Sequence, residues 1–180
     1  MQITVDSHQL GLFGQRRLQK DVARLAEQAA TLVQRQCGRL PQVRLTLTHE
    51  RGLAQLATAA DGAFAPDASL LSKARQARGQ RRGARGAFGI TVLNPAGGIH
   101  IIINVALAEA ASELAVTVLH ELVHAVQLNA PGARELHIRD IHHAYGVTRW
   151  SRREERDYNA LVDRREAEAR GLEHLAAQLT

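Results

Sequence analysis

A strongly apolar stretch, residues 114–126, carries ionisable side chains at three positions where an ordinary core helix would have none. These side chains are His120, Glu121 and His124, and they stand among leucine, valine and alanine. Burying polar groups without partners is costly, so their presence in such a stretch needs a reason. We predict a helix over residues 108–128, because the apolar positions recur at helical spacing and a Pro-Gly turn follows.

These three residues have the spacing of a zinc site with an adjacent general base. On a helix, His120 and His124 lie one turn apart on the same face, so both imidazoles can bind one Zn²⁺. Water bound to zinc has a pKa of about 7, and Glu121 is placed to take its proton and return it to a leaving amine. The motif therefore predicts a zinc metallopeptidase with Glu121 as the catalytic base.

The length and the cysteine content narrow the kinds of site that the chain can hold. Its 180 residues suit one domain with a sizeable core. Cys37 is the only cysteine, so neither a disulfide framework nor a thiolate zinc site is available. No apolar run approaches the length of a membrane span, and the N-terminus lacks the pattern of a signal peptide. We expect a cytoplasmic protein with no membrane partner.

One segment concentrates basic side chains without a single acid, in a chain of net charge +5. Glycines within it favour a mobile basic loop over residues 73–86. Such a loop can contact the phosphates of nucleic acid, or it can be a solvated linker. Phe88 is the nearest aromatic residue, so base stacking is not indicated. The basic residues are Lys73, Arg75, Arg78, Arg81, Arg82 and Arg85.

Strand patterns occur in both halves of the chain. Short strands are expected at residues 3–5 and 43–48, the second from its alternation of apolar and polar side chains. Residues 89–93 and 99–104 give stronger strand signals, and the Asn-Pro-Ala-Gly-Gly sequence between them predicts a hairpin. With the helices, these strands predict a single α+β domain over residues 1–180.

Two further helices are expected, one near each end of the chain. Apolar residues repeat at helical spacing from 18 to 33, before Gly38 and Pro41. Ser151 and Glu154 have the spacing of a capping box at the start of a helix over 152–179. Residues 52–71 mix helix and turn signals and receive no assignment.

A catalytic zinc site usually has three protein ligands, and the third must come from outside the first motif. The extension typical of astacins needs Gly and His where this chain has Gln127 and Ala130, which excludes that class. Glu166 is our first choice, because the alanines around it let a C-terminal helix approach the motif helix closely. Alternatively, Glu166 and Glu168 are solvated acids in an exposed run of charges.

In these two motifs the chain resembles the gluzincin peptidases, whose third zinc ligand is a Glu on a downstream helix in Glu-x-x-Ala or Glu-x-Glu-Ala. Glu166 and Ala169 match that spacing, Glu168 completes the second form, and Arg170 stands where the family has Asp or Asn. The resemblance implies a zincin-like fold, with a small mixed or antiparallel sheet packed on the motif helix. It also implies hydrolysis of a protein or peptide substrate, and we expect strand 99–103 to be the edge along which an extended substrate pairs.

The order of helix, hairpin and motif helix also resembles the SprT-like peptidases, a DNA-associated zincin family with a downstream His as third ligand. On that resemblance His137 is the competing candidate, with His142 and His143 behind it. This chain lacks the Gly and the aromatic residue of the SprT-like setting after His137. Because the order of elements matches and His137 is available, a SprT-like DNA-associated protease is nevertheless one alternative function.

Another alternative is a catalytically silent zincin-like sensor or binding module. The intact Glu121 argues against it, because a purely structural zinc site has no use for a general base. A peptidase also needs a donor for the developing oxyanion, and Tyr158, Tyr145 and His142 are candidates that spacing alone does not separate.

Overall fold

The computed structural model describes residues 3–11, 15–108 and 110–179, which form a four-stranded sheet, six α-helices and one 3₁₀ helix. The elements in chain order are β1 (Ile3–Ser7), α1 (Gln15–Cys37), β2 (Val43–Thr48), α2 (Glu50–Phe64), α3 (Leu70–Gly83), β3 (Gly89–Leu93), β4 (Ile99–Asn104), α4 (Ala111–Leu128), α5 (Ala133–Ala144), α6 (Arg152–Leu172) and the 3₁₀ helix (Glu173–Gln178). The predicted α+β class is confirmed.

The sheet is mixed, with strand order β1-β2-β4-β3. β1, β2 and β4 run parallel, so that Val43 lies opposite both Ile3 and Ile99. β3 and β4 form the predicted antiparallel hairpin, with Gly89 opposite Ile103. The expectation that strand 99–103 forms an edge is wrong, because β4 lies between β2 and β3 and all six of its residues are buried. β3 is the edge strand on that side of the sheet.

Helices cover both faces of the sheet. The larger core cluster joins α1 and α4 to one face, where Ile101 and Ile103 meet Leu119 and Leu122. Ile102 points to the opposite face and packs with α2. Successive side chains of a strand alternate between faces, so a strand covered on both sides is expected to be mostly apolar, as β4 is with four isoleucines among its six residues. This packing fixes α4, the predicted motif helix, against the sheet.

The predicted mobile loop over 73–86 is wrong for most of its length. Residues 70–83 are helical, and the Ser69 hydroxyl caps the helix by accepting a hydrogen bond from Ser72 N–H. Arginine and lysine are good helix formers, which outweighs the cost of about 1 kcal/mol for Gly79. Gln80 donates to the Asp61 carboxylate and so ties α3 to α2. The basic residues therefore stand on an ordered helix and the turn after it.

The other differences concern helix positions. α2 occupies most of the stretch that had no assignment, and α5 forms where no helix was expected. The C-terminal helix starts at Arg152 with the predicted capping box of Ser151 and Glu154, but it tightens into a 3₁₀ helix after Leu172. None of the helices in the described ranges is long and apolar enough to cross a lipid bilayer.

Candidate metal centre

α4 and α6 bring three potential metal ligands together. The Nε2 atoms of His120 and His124, one helical turn apart, lie 3.0 Å from each other. Glu166 Oε2 reaches across from α6 to within 3.2 Å of His124 Nε2 and 3.6 Å of His120 Nε2. Among the described residues, no other group of three His, Cys, Asp or Glu side chains converges in this way.

Hydrogen bonds on the far side of each imidazole set its tautomer. His120 Nδ1–H donates to Glu173 Oε1 at 2.8 Å, and His124 Nδ1–H donates to Gln127 Oε1 at 2.7 Å. In its neutral form each ring presents a lone pair at Nε2. Two such lone pairs and a carboxylate oxygen facing one another repel, and a cation among them, either a metal ion or a proton on a ring, relieves that repulsion. A carboxylate or amide behind a ligating histidine is also the usual outer partner of metal sites, so the donor set fits a metal ion.

Glu166 divides its two oxygens between the cluster and an arginine. Oε1 accepts a hydrogen bond of 3.0 Å from Arg170 Nε and forms an ion pair of 3.0 Å with Arg170 Nη2, which leaves Oε2 for the two histidines. Burial acts to raise the pKa of Glu166, but the charges of His120, His124 and Arg170 outweigh it and hold the pKa below its usual range. The carboxylate is therefore ionised, as a metal ligand must be.

Glu121 lies beside this cluster, on the side of α4 that faces β3. Only 6% of the residue is exposed, and its Oε2 accepts a hydrogen bond of 2.7 Å from the Thr91 hydroxyl. Burial raises the pKa of Glu121, although the Thr91 hydrogen bond and the charge of His124 oppose it. A Cβ at Gly89 would lie 2.8 Å from Glu121 Oε1, so the close approach of β3 depends on glycine at this position.

The other candidate ligands lie outside the cluster. His142 Nε2–H donates to the Phe64 carbonyl at 2.7 Å, and His143 Nε2–H donates to Glu155 at 3.0 Å. Glu168 accepts a hydrogen bond of 2.8 Å from Gln127, so it supports the residue that holds His124. Glu166, our first choice from the sequence, is the candidate that the structure brings to both histidines.

His137 contributes to the wall of the cavity beside the cluster. Its Nδ1 is hydrogen bonded to the Tyr158 hydroxyl at 3.0 Å. Burial, with a contribution from the charge of Arg165, lowers the pKa of His137 to about 4. Of the three candidate oxyanion donors, only Tyr158 lines this cavity, whereas Tyr145 packs in a separate small core with Ile141.

The cluster lies in a cleft that extends to both sides. A cavity of about 350 Å³ on one side is bounded by residues 89–91 of β3 and by α5 and α6. A second cavity, of about 480 Å³, begins at His120 and continues past Phe88 and Val116. Gly89, His120, Glu121 and Glu166 border both cavities, so an extended chain can pass the cluster without meeting a closed end.

Several residues that shape the site were missed in the sequence. Gln127 could have been found, because it lies three residues after His124 on the same helix face. Glu173 and Thr91 carry no such local signal, since they reach the motif from a 3₁₀ helix and from an edge strand. Their roles follow from tertiary packing.

Comparison of the chain with protein-family models, with curated proteins and with solved structures gives no match. Any conclusion about function therefore depends on the arrangement of the chain's own side chains.

Proposed function

We propose that this protein is a zinc-dependent metallopeptidase with a zincin-like fold, which hydrolyses peptide bonds in a protein or peptide substrate. The observation that carries the proposal is the convergence of His120, His124 and Glu166 on one point, with the carboxylate of Glu121 beside it in an open cleft. A purely structural zinc site is closed by four protein ligands. Here three potential ligands border open space, which is the arrangement a catalytic site needs.

The chain's own residues have separable roles in this mechanism. When bound, Zn²⁺ supplies Lewis-acid chemistry that makes water a nucleophile near neutral pH. Thr91 donates to Oε2 of Glu121 and so fixes the carboxylate next to the cluster. Glu121 accepts the proton of the attacking water and passes it to the nitrogen of the leaving amine, so that no net proton is consumed. Glu173 and Gln127 hold the two imidazoles in the tautomer that ligation requires.

β3 is the element that would position the substrate. It is an edge strand, it lines the cleft at residues 89–91, and its Thr91 contacts the motif helix directly. An extended peptide can add to such an edge through main-chain hydrogen bonds, which bind it with little dependence on its side chains. The sequence suggested strand 99–103 for this role; we propose β3 instead, because β4 is an interior strand of the sheet.

The alternative functions are less well supported by this geometry. A SprT-like site would use His137, whose Nδ1 is engaged by Tyr158 and which lies outside the cluster. A silent zinc-binding module would have no need for a buried carboxylate at Glu121 that depends on a glycine in the facing strand.

The direct test is cleavage of casein, an unstructured protein, by the zinc-loaded chain and by its Glu121→Gln variant. The amide is nearly isosteric with the carboxylate but cannot accept the proton, so we expect zinc content to be retained and the rate to fall by about 10²–10⁴-fold. Cleavage by the variant at the wild-type rate would overturn the role of Glu121. A wild-type chain that holds zinc but leaves casein intact would favour the binding module.

A second candidate function concerns α3. We propose that a basic face, formed by α3 and the turn after it, contacts nucleic acid; its residues are Lys73, Arg75, Arg78, Arg81, Arg82 and Arg85. Arg81 and Arg85 line a groove of about 590 Å³ together with Arg51 of α2. None of these arginines forms an ion pair with a residue in the described ranges, so their charges are available to phosphates.

A further inference from the structure

Arg165 places a positive charge in the wall of the cavity that contains the metal cluster. It precedes Glu166 on α6 and is half-buried. It forms no ion pair with any residue that the structure describes. Its guanidinium makes one long hydrogen bond, from Nη2 to the Gln127 carbonyl at 3.4 Å. A guanidinium has five donors and stays charged at any physiological pH, so most of its capacity is unused.

The position of Arg165 is set by the same contacts that build the metal cluster. Gln127, which holds His124, also donates from Nε2 to the Arg165 carbonyl at 2.9 Å. The guanidinium is close enough to His137 and Tyr158 to lower the pKa of each, against the dominant effect of burial on Tyr158. The charge therefore faces the part of the cleft between α5 and α6.

The carboxylates that border this cavity are already engaged. Glu166 is shared between Arg170 and the histidines, and Glu121 accepts from Thr91. Nearby Glu168 is bound by Gln127. A half-buried cation without a counter-charge is costly, and an anionic group of a ligand would offset that cost. A guanidinium binds a carboxylate through two parallel, charge-assisted hydrogen bonds, which are stronger than hydrogen bonds between neutral groups.

We propose that Arg165 forms a subsite for a carboxylate of the substrate, next to the bond that is cleaved. This inference rests on the proposed peptidase function. The carboxylate can belong to an acidic side chain within the peptide or to a free C-terminus. The subsite gives the cleft a charge preference on the side of α5 and α6, whereas the second cavity continues past the apolar side chains of Phe88 and Val116.

Binding of three dye-labelled decapeptides tests this subsite without requiring cleavage. The probes consist of Ala, Ser and Gly and differ in one central residue and at the C-terminus: central Glu with an amidated end, central Gln with an amidated end, and central Gln with a free carboxylate. Fluorescence anisotropy is measured on zinc-loaded Glu121→Gln protein. We expect at least one carboxylate probe to bind about 10-fold more tightly than the neutral probe, because a charge-assisted pair is worth a factor of that order.

Two variants identify the residue responsible. Arg165→Gln in the same background should remove the preference, and Arg165→Lys should retain part of it through charge alone. Arg164→Gln is the matched control, since Arg164 is its exposed neighbour and does not line the cavity. Zinc content and thermal unfolding show that each variant is folded.

The outcomes separate this subsite from the peptidase proposal. Equal affinity for all three probes, or a preference that survives Arg165→Gln, would overturn the subsite even if casein is cleaved. A preference that depends on Arg165, together with a zinc-loaded wild-type chain that cleaves no casein, would support the subsite and count against the peptidase. Which carboxylate probe binds more tightly identifies the source of the charge.

Discussion

Glu173 is expected to control zinc affinity without binding the metal itself. Its Oε1 accepts the Nδ1–H of His120 at 2.8 Å, and this contact leaves Nε2 as the atom that would bind zinc. Removing such an outer partner typically weakens metal binding by about 10–100-fold, which corresponds to about 1.4–2.7 kcal/mol. We therefore expect Glu173→Ala to weaken zinc binding within this range. Glu173→Gln should weaken zinc binding less than Glu173→Ala does, because the amide oxygen can still accept the hydrogen bond. It should still bind zinc more weakly than the wild type, because the amide carries no charge.

Weaker zinc binding by Glu173→Ala should also reduce the stability that zinc gives to the folded chain. At a free zinc concentration 100-fold above the wild-type dissociation constant, binding stabilises the folded chain by about 2.7 kcal/mol. A dissociation constant raised by about 10–100-fold leaves about 0.4–1.4 kcal/mol of that stabilisation. At about 2–4 °C per kcal/mol for a chain of this size, the zinc-induced rise in melting temperature should shrink by about 3–9 °C.

Two measurements check these values, namely a zinc titration against a chromophoric chelator and thermal unfolding with and without zinc. Glu155→Ala is the matched control, because Glu155, in the first turn of α6, also pairs with a histidine, His143, but lies away from the cluster. Its zinc affinity should equal that of the wild type. If Glu173→Ala binds zinc as tightly as the control does, Glu173 has no part in zinc affinity.

Glu166→Ala should weaken zinc binding far more than His137→Ala does in the same titration, and the opposite ranking would move the third ligand to α5. Burial, assisted by the charge of Arg44, lowers the pKa of His100 to about 4. The unfolded chain therefore takes up this proton first as pH falls below about 6.5, and about 3 kcal/mol of stability present above that pH should be lost by pH 4. Urea unfolding at pH 7 and pH 4 should show a smaller loss for His100→Gln, and an equal loss in both proteins would contradict this. A triple alanine variant of the basic face should bind duplex DNA more weakly at low salt with zinc content unchanged, and equal binding would leave the face a solvated surface; the substituted residues are Arg78, Arg81 and Arg82.

Local signals predicted much of the fold. The β3–β4 hairpin and β2 have the expected bounds, because alternation and turn residues act within a few positions. The capping box at Ser151 formed as its spacing indicates. α5 was missed because its buried residues are only Ala133 and Ile141, too few to produce a periodic pattern.

The prediction for α3 failed for a different reason. Its sequence has no apolar stripe, and the helix buries none of its own residues. A run of basic residues with glycines was therefore interpreted as a loop. The helix instead gains from the propensity of its long side chains, from the Ser69 cap and from the tie between Gln80 and Asp61.

Part of the candidate site could be predicted from the sequence. His120, Glu121 and His124 lie on one helix, where spacing determines which side chains are neighbours. Glu166 lies 42 positions after His124 in the chain, and its selection depended on the small residues around it, of which Ala169 is fully buried. The order of strands, which makes β3 the edge beside Glu121, is a property of the whole sheet that no local pattern contains.

We propose that one zinc ion binds among His120, His124 and Glu166. Diffraction from zinc-loaded crystals, measured above and below the zinc absorption edge, tests this directly. We expect a single anomalous peak within ligating distance of both Nε2 atoms and of Glu166 Oε2. A loaded crystal with no peak at this position, or with its peak at another group of residues, would contradict it.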